Sequence, residues 1–308
     1  MKTFQKTALA VATMAVLGAG LNTSAHAGAK AYSDLLIDNF FITKSGGGQF
    51  DVSDFDTIDI GNTSSTFAFT TNNGLDANTI LDSTAGGGNI DDNLSCVGAG
   101  CFGTILEDDY TQQPEPVGGS FARGDTQLLG ALITGLPVAG TVTANSTAEG
   151  QTSVTDSGEG NSSVGTGTQV NFNLANDGET ITFNFDATPF LEVLLHQDDV
   201  NAIASLNFSI SIVDNSTGLG IFNFSPGEIN QSRSQLDTGS TVYNAALTTF
   251  TFTETTVALD ADTDYTLSID HRTRATFDAV KVPEPGSLAL LGAGLLGIGA
   301  MRRRSKKA

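Results

Sequence analysis

Apolar and polar residues alternate one by one in many stretches of this chain, and turn-forming residues break the alternation into short segments. Such period-two patterning predicts half-buried β-strands. Leu35, Ile37 and Phe41 mark the first. Phe50, Val52, Phe55, Ile58 and Ile60 follow between Gly46-Gly47-Gly48 and Gly61, and Phe67 and Phe69 mark a third. The pattern resumes over Phe121–Thr134 with Leu128, Leu129, Leu132 and Ile133. It is clearest in the second half: Ile181, Phe183 and Phe185 after the Asn176-Asp177-Gly178 turn, then Leu206, Phe208, Ile210 and Ile212, then Phe222 and Phe224. Leu247–Thr253, Val257–Leu259 and Thr276–Val282 complete the strand candidates, and Phe190–Leu195 reads as either a helical turn or a strand.

Residues 141–168, mostly Thr, Ser, Gly and Asn, have the composition of a linker. Yet Val142, Ala144, Ser146, Ala148 and Val154 share one parity, and Val164, Val170, Phe172 and Leu174 likewise share a single parity. That predicts a long hairpin with small residues on its inner face and a turn over residues 156–161. In Leu259-Asp260-Ala261-Asp262-Thr263-Asp264-Tyr265 a loop runs into a strand-opening tyrosine, the pattern of a tyrosine corner, which belongs to Greek-key sandwiches. No repeat of 20–50 residues stands out, which argues against a solenoid or propeller. The body is therefore expected to be all-β, a single large Greek-key or jelly-roll-like β-sandwich.

Both ends depart from this pattern. Lys2 and Lys6 precede an apolar run from Ala8 to Ala19 and then Ala25-His26-Ala27. A positive region, an apolar stretch of about 7–15 residues and an A-x-A site form a signal peptide, here residues 1–27, cleaved after Ala27 so that the mature chain begins at Gly28. At the other end Pro283-Glu284-Pro285 leads into an apolar stretch from Leu288 to Met301, followed by Arg302, Arg303, Arg304, Lys306 and Lys307. The stretch is short against the usual span of about 20 residues, and the basic cluster would stay on the cytoplasmic side.

These three features in order closely resemble the PEP-CTERM sorting domain of Gram-negative bacteria. The resemblance implies a tail, residues 282–308, whose hydrophobic helix holds the precursor transiently in the inner membrane. It also implies processing near Pro283-Glu284-Pro285 by an exosortase-type enzyme and delivery to the cell surface or extracellular polymer. The chain is then a signal-peptide helix, a β-sandwich body over residues 28–281, and a hydrophobic sorting helix. A second Pro-Glu-Pro at Pro114–Pro116 has no apolar helix after it and reads as a loop. Cys96 to Cys101, the acidic segment Glu107 to Pro116 and Phe121-Ala122-Arg123-Gly124-Asp125 are similar to a group of PEP-CTERM proteins named for a Glu-Asp-Ser-Ala-Pro core. Here that core reads Glu107-Asp108-Asp109-Tyr110, and the resemblance implies no activity.

Charge and chemistry narrow the role of the body. Residues 28–285 hold seven basic residues against all 34 acidic ones, which leaves them near −27. A field of that sign repels nucleic acid, so no nucleic-acid partner is expected. Cys96 and Cys101 are the two cysteines, and outside the cytoplasm they are expected to form a disulfide. His196 and His271 are the histidines of the body. Neither has metal-ligand spacing, and no Gly-x-Ser-x-Gly elbow occurs. His196, near Asp198 and Asp199, reads as a solvated strand end, and His271 as a surface residue paired with charged neighbours. No catalytic residue is assigned. Asp260, Asp262 and Asp264 imitate the start of an EF-hand and are the candidate calcium ligands, although Tyr265 and His271 replace its required Gly and Glu. Arg123-Gly124-Asp125 reads as a chance tripeptide. The expected function is a non-enzymatic structural or interaction role at the surface or in the matrix, with extracellular polysaccharide as a partner class. The alternatives are a carbohydrate-binding module, with or without calcium, and a polysaccharide hydrolase.

Overall fold

Period-two patterning carries most of the described residues into strands. The computed structural model of the protein describes residues 28–71, 78–86, 88–99, 101, 106–114, 119–133, 141–153, 158–196 and 200–279. Among them are fourteen strands: β1 (Ala29–Thr43), β2 (Phe55–Thr70), β3 (Asn78–Gly86), β4 (Ile90–Gly98), β5 (Ser120–Leu129), β6 (Val142–Thr152), β7 (Gly158–Leu174), β8 (Thr182–Leu195), β9 (Asn201–Asp214), β10 (Leu219–Phe224), β11 (Ser232–Gln235), β12 (Gly239–Tyr243), β13 (Phe250–Thr255) and β14 (Tyr265–Ala279). They form two seven-stranded sheets. The first runs β12-β8-β1-β6-β5-β4 with β13 also on β8, and the second runs β10-β9-β14-β7-β2-β3 with β11 also on β9. The sheets pack face to face, β6 against β7 and β14, and β1 against β14 and β9, as an all-β sandwich. Among the described residues no helix is long and apolar enough to cross a membrane. The two expected flanking helices, in residues 1–27 and 282–308, lie outside the described residues.

Strict alternation in β8 and β9 drives every second side chain into the core. One part of the interior is aromatic: the Phe185 ring lies 5.1 Å from Phe40, 5.0 Å from Phe208 and 5.0 Å from Phe252. Another part is small and polar. There Thr66 Oγ1 meets Ser95 Oγ across the sheets at 2.7 Å, and Ser162 Oγ donates to the Arg123 carbonyl. Small residues let the sheets approach here, since a Cβ added at Gly124 would sit 2.6 Å from Val164 Cγ2. β8 exchanges its outer neighbour from β13 to β12 around Pro189, a residue with no N–H to give to a ladder.

Several expectations need correction. Residues 141–168 are strands and not a linker, but they are not a hairpin. β6 pairs with β1 and β5, whereas β7 pairs with β2 and β14 in the opposite sheet. Both share an inward parity because they face each other across the core. In β1 the core residue is Phe40 and not Phe41, because the ladder shifts register between Ile37 and Phe40. Asn39, at φ 52°, makes that bulge, and one extra residue reverses which side chains face inward. Val52 begins a 3-10 turn, capped by Asp51, before β2. Phe190–Leu195 is strand, within β8. Tyr265 and Thr276 belong to one strand of 15 residues.

Candidate functional site

The charges that the fold gathers most tightly lie on the outer face of the first sheet, on β1, β5 and β6. Outward parity places Tyr32 opposite Glu149 and Glu149 opposite Arg123, with Asp34, Thr147 and Asp125 in the adjacent row. Such a face would ordinarily meet solvent. Instead residues 106–114, which include the acidic Glu107-Asp108-Asp109-Tyr110 run, lie across it without regular structure and take their hydrogen bonds from it.

Arg123 organises this cover. Its side chain has no exposed surface and is among the largest fully buried in the molecule. Nε donates to Glu149 Oε2 at 2.9 Å, Nη1 to the Asp109 carbonyl at 2.6 Å, and Nη2 to the Thr111 carbonyl. A planar guanidinium with five fixed donors suits this combination of one carboxylate and two carbonyls. Glu149 also accepts from the Gln113 N–H at 3.1 Å and from Gln151 Nε2 at 2.6 Å. Asp125 Oδ2 accepts from the Asp108 N–H at 3.0 Å, and the Tyr32 hydroxyl donates to the Tyr110 carbonyl. At the rim Lys30 pairs with Glu192 at 3.4 Å.

Burial sets the protonation of these groups. Desolvation raises the Glu149 carboxyl, with the Arg123 charge opposing it. Desolvation pushes Asp125 up to about 7, helped by the Glu107 and Asp108 charges. Half-buried Asp34 is also pushed up to about 7 by desolvation, against the Thr147 hydrogen bond and the Arg123 charge. A carboxyl poised near neutrality could in principle act as a general acid. Asp125 and Glu149 nevertheless have no exposed surface, so solutes do not reach them while the segment is seated, and half-buried Asp34 is engaged by the Thr147 hydroxyl at 2.5 Å. The geometry fits fastening a loop.

The residues singled out from the sequence lie elsewhere. Cys96 and Cys101 are disulfide-bonded, Cα to Cα 5.6 Å, at the end of β4 beside this face. Asp260 gives its N–H to the Tyr265 hydroxyl at 3.1 Å, which is the geometry of a tyrosine corner. Asp264 is held by Asn173 Nδ2 at 3.3 Å and receives the Asn215 N–H on its carbonyl. Asp260, Asp262 and Asp264 do not converge, and among the described residues no three His, Cys, Asp or Glu side chains form a group that could hold a metal ion. His196 is exposed, and its N–H donates to the Gly28 carbonyl at 2.9 Å; Asp198 and Asp199 lie outside the described residues. His271 is not a surface residue. It is 2% exposed, points between the sheets, and its Nε2 lies 2.8 Å from Ser146 Oγ. The signal-cleavage residues Ala25 and Ala27, and the tail residues Pro283, Glu284, Pro285 and Arg302–Arg304, lie outside the described residues.

Sequence reasoning missed the Arg123–Glu149 pair. One signal was present: Glu149 is the lone charge between residues 126 and 155, and a single charge in an otherwise neutral strand needs a partner.

Residues 281–304 match the family of the PEP-CTERM protein-sorting motif. Comparison with curated proteins gives no match. The chain therefore carries a PEP-CTERM sorting motif, which implies export and handling by an exosortase-type enzyme.

Proposed function

We propose that the protein is a non-enzymatic structural or interaction component of the cell surface or extracellular polymer matrix. The observation that carries this is the sorting motif at residues 281–304, which begins two residues after β14 ends. In this reading residues 1–27 direct export and are removed after Ala27. The helix of the tail holds the precursor briefly in the inner membrane, and an exosortase-type enzyme cuts near Pro283-Glu284-Pro285. The body, residues 28–281, is the delivered part, and we read its strand order as jelly-roll-like. Gly28 suits a mature N-terminus because its carbonyl already closes the sheet against His196. Extracellular polysaccharide is the partner class that the matrix setting suggests.

The carbohydrate-binding alternative expects an exposed aromatic strip. Among the described residues the large apolar side chains left exposed are Leu106, Leu219, Leu236, Val242, Leu247 and Val257, none of them aromatic. Tyr32 and Tyr265 are buried, and Tyr243 lies under the Arg233 guanidinium at 4.9 Å. The test is intact mass with cell fractionation in the native host. A species from Gly28 to near Pro285, found in the envelope or medium, supports the proposal. A species that retains Arg302–Ala308 in the inner membrane overturns it in favour of a plain anchor.

A further inference from the structure

Arg272 and Arg274 stand apart from the other basic residues of the body. Lys30 and Lys44 are paired with Glu192 and Asp54, and Arg123 is buried on Glu149. Arg233 donates to Gln231 Oε1 at 3.1 Å and lies over the Tyr243 ring, and Lys281 lies outside the described residues. Arg272 and Arg274 are exposed, and among the described residues neither has an ion-pair or hydrogen-bond partner. They occupy successive outward positions of β14, roughly 6.5 Å apart along the strand. Their neighbours across the ladders carry no charge: Gly165 and Ser163 on β7, Asn207 and Ser205 on β9. The small residues of β7 leave a shallow trough of about 290 Å³ beside Arg272, which reaches Thr63 and Ser65 of β2. The Arg272 stem lies across Gly165, where an added Cβ would sit 3.3 Å from its Cγ. Asp270, opposite Gly167, also lines the trough.

Charge selects the partner. The body as a whole, near −27, repels dense polyanions such as nucleic acid. Two open guanidinium forks can still each take one carboxylate bidentately, so the face fits a polymer whose acid groups are spaced by neutral polar units. Hydroxyls and an amide at Ser163, Ser205 and Asn207 flank the pair and can exchange hydrogen bonds with sugar hydroxyls. Recognition by charge and hydrogen bonds needs no exposed aromatic strip. We infer that this face of the second sheet binds an acidic polysaccharide, in which uronic-acid carboxylates pair with Arg272 and Arg274; this gives the matrix role proposed above, on which it rests, a specific partner.

The probe is hyaluronate, which alternates a uronic acid with a neutral sugar. It is added to the full chain, purified after export, in calorimetric titration at pH 7. A chelator is present, so that divalent cations cannot bridge the acidic body to the polymer. Binding should saturate, and the carboxyl methyl ester of the same polymer and dextran should each bind at least about tenfold more weakly. Arg272→Gln/Arg274→Gln should weaken binding at least about tenfold. Lys30→Gln/Lys44→Gln removes the same charge elsewhere and should change binding less than about twofold, with thermal unfolding of both double variants still cooperative. Absence of saturable binding overturns the inference. So does an ester that binds as tightly as the acid, duplex DNA that displaces hyaluronate at an equal concentration of anionic groups, or binding that the arginine changes leave intact. Fractionation in the native host tests the matrix role separately. A body that binds through the two arginines but stays in the inner membrane keeps this site and loses that role, and a surface-borne body whose binding ignores them does the reverse.

Discussion

Arg123 Nε and Glu149 Oε2 lie 2.9 Å apart across β5 and β6, and neither side chain has any exposed surface. The pair sits on the face of the first sheet that points away from the core, where, among the described residues, 106–114 lie over it. Desolvating two charges is costly, so the arrangement holds because the remaining guanidinium donors and carboxylate lone pairs are also used. Removal of one partner leaves the other charged, dry and unsatisfied.

Arg123→Met should therefore destabilise the protein by about 3–5 kcal/mol, and Arg123→Lys should recover only part, since an ammonium lacks the fork that reaches Asp109 and Thr111. Glu149→Gln keeps an acceptor for the Gln113 N–H and should cost less. The double variant should cost about 0.5–3 kcal/mol less than the sum of the two. Urea denaturation gives these values, and limited proteolysis should find new cuts within residues 106–114 in Arg123→Met. Strict additivity, with no new cut, would show that the pair does not fasten the segment.

Stability should fall as pH rises from about 4 to about 7. Asp34 and Asp125 have folded pKa values near 7 against an ordinary value of 3.8, so in that window the folded state holds protons that the unfolded chain has released. Each such group lowers stability by up to roughly 1.4 kcal/mol per pH unit. His271 works the other way: its folded value near 4 means that the unfolded chain binds the extra proton below about 6.5, which offsets one of the two carboxyls. Asp54 and Asp109, whose pKa values are lowered, lose their contribution only below about 4. Denaturation curves should thus place maximum stability near pH 4–5, and Asp125→Asn should flatten the decline above it. A stability that climbs between pH 5 and 7, unchanged in that variant, would contradict the assignment.

Close approach of the sheets predicts a sharp contrast between glycines. An added Cβ at Gly124 meets Val164 Cγ2 at 2.6 Å and Ser162 Oγ at 3.1 Å, with sheet on both sides, whereas at Gly220 it meets nothing within 4 Å. Gly124→Ala should cost about 1–3 kcal/mol as overpacking. Gly220→Ala should change stability by less than about 0.5 kcal/mol. Thermal unfolding of both variants decides this, and equal effects would mean that the polar seam is looser than its geometry.

The small loop closed by Cys96–Cys101 should contribute about 2 kcal/mol by restricting the unfolded chain. The double variant Cys96→Ser/Cys101→Ser should therefore fold, with its unfolding free energy in denaturant lowered by that amount. Complete failure to fold would mean that the bond acts on the native state and not on the unfolded one.

The strands and their faces were legible because burial imposes period two wherever one face meets the core, as in β8 and β9. Pairing was less legible. Val142–Ala148 and Val164–Leu174 announce inward faces, but parity is the same for two strands in one hairpin and for two strands that confront each other across a sandwich. Asn39 reversed parity in β1 through a bulge that no apolar pattern records. The cover over Arg123 was hidden for a different reason: a loop with no periodicity buries a face that alternation marks as exposed. His271 looked solvated because Asp270 and Arg272 flank it in sequence, and in a strand those neighbours point to the opposite side.

The last strand and the sorting motif meet within a few residues, yet no described strand contains any residue of the motif. β14 ends at Ala279, and its described pairs run to Ala279 with β7 and to Asp278 with β9. A variant that lacks residues 282–308 should therefore keep its unfolding free energy to within about 0.5 kcal/mol, because every described core residue and ladder pair remains. Its destination should change: with the signal peptide intact it should still cross the inner membrane, but it should accumulate as a freely soluble species and not with the surface fraction. Fractionation and denaturation of the same preparation separate the two effects. Normal stability with lost surface delivery assigns residues 282–308 to sorting alone. Loss of stability would instead make the tail part of the fold, and unchanged surface delivery would remove the motif from the route by which the body is exported.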